Sequence, residues 1–333
     1  MSPSNQEKRS SRCRRLASSH TIDERNVKEM RKELPPPNRC ARFFHRIIIV
    51  RSQSKMAKVA LITGGTSGIG LAVAKHLSQT GNWQVNVIGS NEERGQEAAA
   101  SLSNVTFYQA DVRNYQQLAT VFDQVFNATG QIDFVFANAG RADNTDFFAE
   151  SETGIPPEPG SELVDINVNG ALYTSYLAMH YFRRSPKATK GQRNLILTSS
   201  IGGLYPCMLT PVYSSTKHAL IGFTRSVGER LWEEGIRVNA LCPGVVETPL
   251  LAIEEFQAVF PRRIFIPMDV VTGVVSQLLS GEDMVDAKGM RVAGDEMHSR
   301  ALHVSGKSFF FIERPEIHDE QTRLTWAAMM GYK

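Results

Sequence analysis

Val59-Ala60-Leu61-Ile62-Thr63-Gly64-Gly65-Thr66-Ser67-Gly68-Ile69-Gly70 is a short apolar run that opens into a glycine-rich turn. The run does not alternate, which suits a strand covered on both faces, as in a parallel sheet. After the turn, Leu71, Val73, Ala74 and Leu77 recur at helical spacing. Strand, glycine turn and helix in that order form a context in which a backbone can approach a pyrophosphate closely. The helix N-terminus would meet it with free N–H groups and the positive end of its dipole. An ordinary tight turn is the alternative. The spacing is Gly64-x-x-x-Gly68-x-Gly70, not the usual Gly-x-Gly-x-x-Gly of dinucleotide-binding turns.

Outward from this turn, further apolar runs at 84–88, 105–112, 132–137, 194–198, 236–242 and 301–304 read as strands. Helical periodicity separates them, at about 115–127, 161–182, 211–230 and 270–279. Strands alternating with helices predict an α/β chain built on a parallel sheet. Residues 141–160 are polar and hold Pro156, Pro157, Pro159 and Gly160, and they read as a loop. Residues 249–267 are apolar, through Phe256, Val259, Phe260, Ile264, Phe265 and Ile266.

The 333 residues are 42% hydrophobic and 21% charged, an ordinary balance for a globular protein with a sizeable core. The net charge of +3 conceals an asymmetry. Residues 1–55 hold 14 Lys and Arg against 5 Asp and Glu, leaving 23 against 29 in the rest of the chain. The main domain is therefore mildly acidic and gives no reason to expect nucleic-acid binding. Cys13, Cys40, Cys207 and Cys242 show neither paired nor metal-ligand spacing. That favours a reducing, cytoplasmic compartment and argues against structural zinc. No apolar run reaches the roughly 18 residues of a membrane span.

Three readings of residues 1–55 stay open. Their Arg and Ser content suits a mitochondrial import leader, although Asp23, Glu24, Glu29 and Glu33 are unusual there. Pro35-Pro36-Pro37 and the low apolar density suit a disordered basic tail. Met56, just before the first strand, suits a natural start with the preceding residues not part of the natural chain. The working domain is expected over 56–306, followed by a less regular tail over 307–333. In that tail Phe309, Phe310, Phe311 and Trp326 are expected to pack over the pocket or on a partner.

Tyr213-Ser214-Ser215-Thr216-Lys217 opens a predicted helix and carries a phenol and an ammonium four residues apart, hence on one face. A free phenol titrates near 10, and a neighbouring cation favours its ionised form. The pair can serve as a general acid/base near neutral pH. Tyr-x-x-x-Lys also occurs by chance in many helices.

Taken together, these segments resemble the short-chain dehydrogenase/reductase family over about 57–306. Residues 249–267 and the C-terminal part most resemble its 15-hydroxyprostaglandin dehydrogenase-like branch. The resemblance implies a Rossmann-type doubly wound, mostly parallel seven-stranded sheet with helices on both faces. It implies hydride transfer between NAD(P)(H) and a hydrophobic secondary alcohol or ketone, with a place in specialised metabolism as the expectation. The turn residues Thr63, Gly64, Ser67, Gly68, Ile69 and Gly70 would hold the cofactor. Ser90, Asp111 and Val112 would line its adenosine half, and Asn138-Ala139-Gly140 matches the signature beside it. Pro243-Gly244, Val246 and Thr248 match the Pro-Gly-x-x-x-Thr segment at the nicotinamide and phosphates. Ser200 stands thirteen residues before Tyr213, as the family places its serine. Asn167 matches the helical Asn that holds a relay water, with Asn169 as second choice. Tyr213, Lys217, Ser200 and Asn167 thus become the expected catalytic set, and Tyr213 and Lys217 also face the cofactor. No metal is implied, and His76, His180 and His218 are expected to be structural or on the surface.

The second strand ends in Gly89-Ser90-Asn91, without the carboxylate that selects NAD, and Arg94 follows one turn into the next helix. The balance favours NADP(H) over NAD(H), with Ser67 as a mild counter-signal. A dimer or tetramer is expected through the helices at 161–182 and 211–230. Two other functions compete: a catalytically silent cofactor sensor or scaffold of the same fold, and a reductase of carrier-bound acyl chains. The intact catalytic set opposes the first. Arg262 and Arg263 alone are too little basic surface for the second.

Overall fold

The computed structural model describes residues 57–143, 147–150, 154–155, 162–186, 188–251 and 260–331. The expectations for residues 1–55, for Pro156, Pro157, Pro159 and Gly160, and for Phe256 and Val259 lie outside the described residues.

Strands β1 (Lys58–Thr63), β2 (Trp83–Gly89), β3 (Val105–Gln109), β4 (Phe134–Ala137), β5 (Arg193–Thr198) and β6 (Ile236–Pro243) run parallel in the order 3-2-1-4-5-6. This is the doubly wound arrangement, with its switch point between β1 and β4. β9 (Ala301–Ser305) adds in parallel to β6. Two residues of β7 (Met284–Val285) pair with β8 (Arg291–Val292) in a separate hairpin.

Because side chains alternate across a strand, β1 feeds two cores. Ala60 and Ile62 join Val73, Leu77, Val85, Phe134, Val271 and Val274 on one face, under α1 (Gly68–Gln79) and α6 (Met268–Ser280). Val59 and Leu61 join Leu118, Phe122, Ala178, Leu195 and Leu220 on the other. That face is covered by α3 (Tyr115–Thr129), α4 (Gly170–Arg184) and α5 (Pro211–Glu233), while α2 (Glu92–Ala100) flanks β2 and β3. Burial of β1, β4, β5 and β6 on both sides explains why these strands read as unbroken apolar runs.

The sheet has eight strands, one more than expected. β10 (Ser308–Ile312) folds back antiparallel on β9, with Ser308 opposite Ser305. Gly306, at φ +57°, permits the two-residue turn. Phe309 and Phe311 then enter the core while Phe310 lies against His303. The tail expected over 307–333 therefore begins with a sheet edge and ends with helix α7 (Glu320–Met329).

The long helix expected over 161–182 is interrupted. One turn, Glu162–Val164, leads into a π-helical segment, Asp165–Asn169, before α4 begins. Such an inserted residue widens a turn and re-aims its side chains. No apolar periodicity announces it.

Candidate active site

The carboxyl ends of β1 and β4 open the crevice where such sheets bind ligands. The turn after β1 rests on the turn after β4. A Cβ at Gly64 would stand 2.8 Å from the Ala139 Cα, and one at Gly70 would stand 2.3 Å from the Gly64 carbonyl oxygen. Asn138 Nδ2 donates to the carbonyls of Thr63 and Gly64, both at 3.3 Å, and its Oδ1 accepts from Thr198 Oγ1 at 3.0 Å. The Thr63 hydroxyl accepts from the Asn138 N–H at 3.1 Å. Asn138 thus ties β1, β4 and β5 together, while Ala139 and Gly140 present backbone to the crevice.

Ser67 precedes α1 in an extended conformation and makes no side-chain cap bond, so the first N–H groups of α1 stay available to an anion. Gly68 sits at φ +50°, and a Cβ there would meet the Thr248 methyl at 3.2 Å. The segment after β6 therefore returns to the phosphate end of the crevice. It is pinned by Gly244 N–H to the Val304 carbonyl at 2.9 Å and by the bridge between Val246 and Ile266. These residues fit an elongated anionic dinucleotide: bare backbone and an uncapped helix end.

The adenosine end is less open. The carboxylate of Asp111 is held by Arg113, whose Nε lies at 3.0 and 2.9 Å from its two oxygens. The Arg113 guanidinium keeps the Asp111 carboxyl below its ordinary range and also reaches Glu162 at 2.8 Å. Val112 is buried against Gly170, where a Cβ would meet it at 2.8 Å. The Ser90 carbonyl accepts from Gln109 at 3.2 Å.

Four catalytic candidates come from three places: Tyr213 and Lys217 from α5, Ser200 from just after β5 and Asn167 from the π segment. Lys217, 3% exposed, donates from Nζ to the Thr198 carbonyl at 2.9 Å and lies 5.5 Å from the centre of the Tyr213 ring. Asn167 is fully buried in the π segment, where Oδ1 accepts from Arg141 N–H at 2.8 Å and Nδ2 donates to the Arg141 carbonyl at 2.9 Å and to Thr216 Oγ1 at 3.0 Å. Lys217 and Asn167 meet at Gly140. A Cβ there would stand 3.1 Å from Lys217 Nζ and 3.2 Å from Asn167 Oδ1. Ser200 accepts from Gly202 N–H at 3.1 Å and hydrogen-bonds the Tyr213 phenol. Ser199 serves the frame, donating to the Lys217 carbonyl at 2.8 Å. Asn169, the second choice, turns away to Asp165 at 2.8 Å.

The electrostatics differ from the reading of an ammonium that simply lowers the phenol. Burial raises the Tyr213 phenol above its ordinary value; the hydrogen bond from Ser200 opposes this, while Cys207, Asp143 and Cys242 add to it. Burial also pushes Lys217 down to about 8. With both groups out of bulk water, each is driven toward its neutral form. Cys242, beneath them on β6, is pushed up to about 12 by burial and stays a thiol.

Three participants escaped the sequence. Thr198 and Thr216 hold Lys217 and Asn167. Thr216 lies three residues after Tyr213 on the same helical face, so spacing alone could have found it. Asp143 accepts from the Tyr213 N–H at 3.2 Å, and nothing in its local sequence marks it. The histidines have local roles: His76 contacts Ser276 at 2.7 Å, His218 contacts the Ser214 carbonyl at 2.9 Å, and His180 stacks edge-on with Tyr181. Among the described residues no group of three or more His, Cys, Asp or Glu could hold a metal ion, and no helix is long and apolar enough to cross a membrane.

A doubly wound sheet with a glycine turn at its switch point, and a Tyr-Lys helix beside it, defines an NAD(P)-dependent oxidoreductase. The family model described as short chain dehydrogenase matches residues 58–257, and the chain belongs to that family. It is 38% identical over 266 residues to a short-chain dehydrogenase/reductase, prx7, of Penicillium rubens, covering 77% of this chain and 94% of that one. It is 31% identical to the 5'-hydroxyaverantin dehydrogenase of Dothistroma septosporum, covering 75% and 85%. It is 33% identical to the 15-hydroxyprostaglandin dehydrogenase [NAD(+)] of Mus musculus, covering 58% and 69%. A solved 3-ketoacyl-(acyl-carrier-protein) reductase from Brucella melitensis, complexed with NADH, shares the fold with a TM-score of 0.61 at 22% identity, covering 76% of this chain and 98% of that one.

Proposed function

We propose that the chain interconverts a hydrophobic secondary alcohol and its ketone through Tyr213, Ser200, Lys217 and Asn167. The observation that carries this reading is the convergence of Lys217 and Asn167 on Gly140, with the Tyr213 ring 5.5 Å from the Lys217 amine. The bound nicotinamide cofactor supplies or accepts the hydride. Tyr213 gives a proton to the carbonyl oxygen in reduction and takes it from the alcohol in oxidation. Ser200 donates a hydrogen bond where negative charge develops. Lys217 holds the nicotinamide ribose and passes the proton on, and Asn167 steadies the water that receives it.

The cofactor turn is assigned to Thr63, Gly64, Ser67, Gly68, Ile69 and Gly70, with Asn138, Ala139 and Gly140 opposite. Pro243, Gly244, Val246 and Thr248 serve the nicotinamide end, and Ser90, Asp111 and Val112 the adenosine end. NADP(H) is favoured because Gly89-Ser90-Asn91 offers no carboxylate to repel a 2′-phosphate, and the exposed Arg94 lies nearby on α2. Substrate hydrophobicity is part of the reading: the apolar residues Phe265 and Ile266 follow the segment after β6, where Val246 pairs with Ile266. The relatives named as dehydrogenases and reductases support the oxidoreductase chemistry, and a role in specialised metabolism is part of the proposal. The catalytic unit expected to end at 306 extends through β10, whose Phe309 and Phe311 join the core, and it works in the cytoplasm as a dimer or tetramer through α4 and α5.

The test pairs Tyr213→Phe with fluorescence titration by NADPH and NADH. The variant should lose at least about 100-fold in turnover while binding cofactor as the wild type does, with NADPH the tighter ligand. Near wild-type turnover would refute the assignment of Tyr213.

A further inference from the structure

Helix α5 begins without a cap of its own. Pro211 is its first residue and has no N–H, and Thr210 makes no side-chain cap bond. The next donors belong to Val212 and Tyr213. Both are bonded by a carboxylate from elsewhere in the chain: Asp143 takes the Tyr213 N–H at 3.2 and 3.3 Å with its two oxygens, and the Val212 N–H as well.

Asp143 lies three residues after Gly140. The short segment after β4 thus touches every part of the proton path. Gly140 packs on Lys217 and Asn167, Arg141 exchanges two backbone hydrogen bonds with Asn167, and Asp143 seizes the turn that carries Tyr213.

We propose that Asp143 is a positioning residue for Tyr213: its carboxylate caps the catalytic helix from across the site mouth, setting where the phenol stands and how readily it gives up its proton. The inference rests on the assignment of Tyr213 as the acid/base. Two effects are built into one group. As an acceptor on the first turn, Asp143 satisfies donors that would otherwise be unpaired and favours the helix dipole. As an anion near the phenol, it opposes a second negative charge there.

The groups acting on Tyr213 come from several elements: Ser200 after β5, Cys207 from the connection into α5, Cys242 from β6, and Asp143 after β4. Lys217, one turn further along α5, lies beside its ring. Of these, Asp143 is the carboxylic acid, and it is itself raised by burial, partly offset by the hydrogen bonds it accepts from two backbone N–H groups. Lys217 is kept in every protein compared, so its coupling to Tyr213 is present in each profile.

The experiment compares Asp143→Asn and Asp143→Ala with wild type and with Tyr213→Phe. Oxidation of 1-phenylethanol or 2-decanol, whichever wild type turns over faster, is followed against pH with NADP⁺. Phenolate absorbance, taken as the difference from Tyr213→Phe, reads the same titration without substrate. Asn keeps an acceptor for the cap but removes the charge, so the acid limb of kcat/KM and the phenolate midpoint should move down by about half a pH unit or more. Ala removes the cap as well, so its kcat should fall roughly tenfold below that of the Asn variant, with cofactor affinity unchanged. Coincident acid limbs and midpoints for Asn and wild type would overturn the proposal, and so would equal kcat for Ala and Asn. If Ala does not fold, the Asn profile decides. Retained turnover in Tyr213→Phe would instead sink the assignment of Tyr213 beneath it.

Discussion

Replacing Lys217 by Met should make the protein more stable and nearly inactive at once. The lysine is 3% exposed; among the described residues its ammonium has one hydrogen bond, to the Thr198 carbonyl at 2.9 Å, and no carboxylate acts on it. Burial pushes it from 10.5 down to about 8, which at neutral pH costs about 3 kcal/mol. Losing the hydrogen bond returns about 1 kcal/mol of that, so the expected net gain is about 2 kcal/mol. For a domain of this size that corresponds to a rise in Tm of roughly 4–8 °C.

The pH dependence gives the reasoning its edge. Between about 8 and 10.5 the unfolded lysine still binds its proton while the folded one has released it. Wild-type stability therefore rises with pH across that window. The Met variant has nothing to gain, so its advantage of about 2 kcal/mol should shrink to nearly zero by pH 9.5. Tyr213, held neutral in the fold, contributes in the opposite direction once the unfolded phenol ionises near 10, but both proteins carry it and the difference cancels it. Scanning calorimetry of the two proteins without cofactor, at pH 7 and 9.5, measures this directly. A variant less stable than wild type at pH 7, or an advantage that stays constant with pH, would refute the argument. Turnover should fall at least about 100-fold, because the proton path is cut.

Two further outcomes test the frame. Gly70→Ala places a methyl group 2.3 Å from the Gly64 carbonyl oxygen; the turn must open, and cofactor affinity measured by fluorescence titration should fall by at least about tenfold, with a stability loss of about 1–3 kcal/mol. Asp133→Ala strips the partner from the buried Arg193, at 2.9 Å, and from the Val59 N–H, at 2.8 Å; urea unfolding should show a loss of about 3–5 kcal/mol, and a loss below about 1 kcal/mol would show that the arginine's carbonyl contacts suffice.

Much of the frame was legible before the structure. The apolar runs at β1, β4, β5 and β6 carry their own evidence, because a strand buried on both faces has no polar side to blur its pattern. The glycine turn is equally plain, since only glycine fits where Gly64 and Gly70 press on backbone. Tyr213 and Lys217 are linked by helical spacing alone. β10 stayed hidden because three consecutive phenylalanines show no alternation that would mark a half-buried strand. The π segment left no trace because its purpose, turning Asn167 inward, depends on what stands across the gap.

Residue order by itself therefore determined the alternation of strand and helix, the glycine turn and the helical face that carries Tyr213 and Lys217, because each arises from neighbours within a few turns of chain. Only the tertiary structure decided that Asn167 and not Asn169 faces Lys217, that Asp143 holds the start of α5, and that the phenol and amine are both driven toward neutrality. These depend on segments tens of residues apart excluding water from one another, and no local spacing encodes how dry a group becomes.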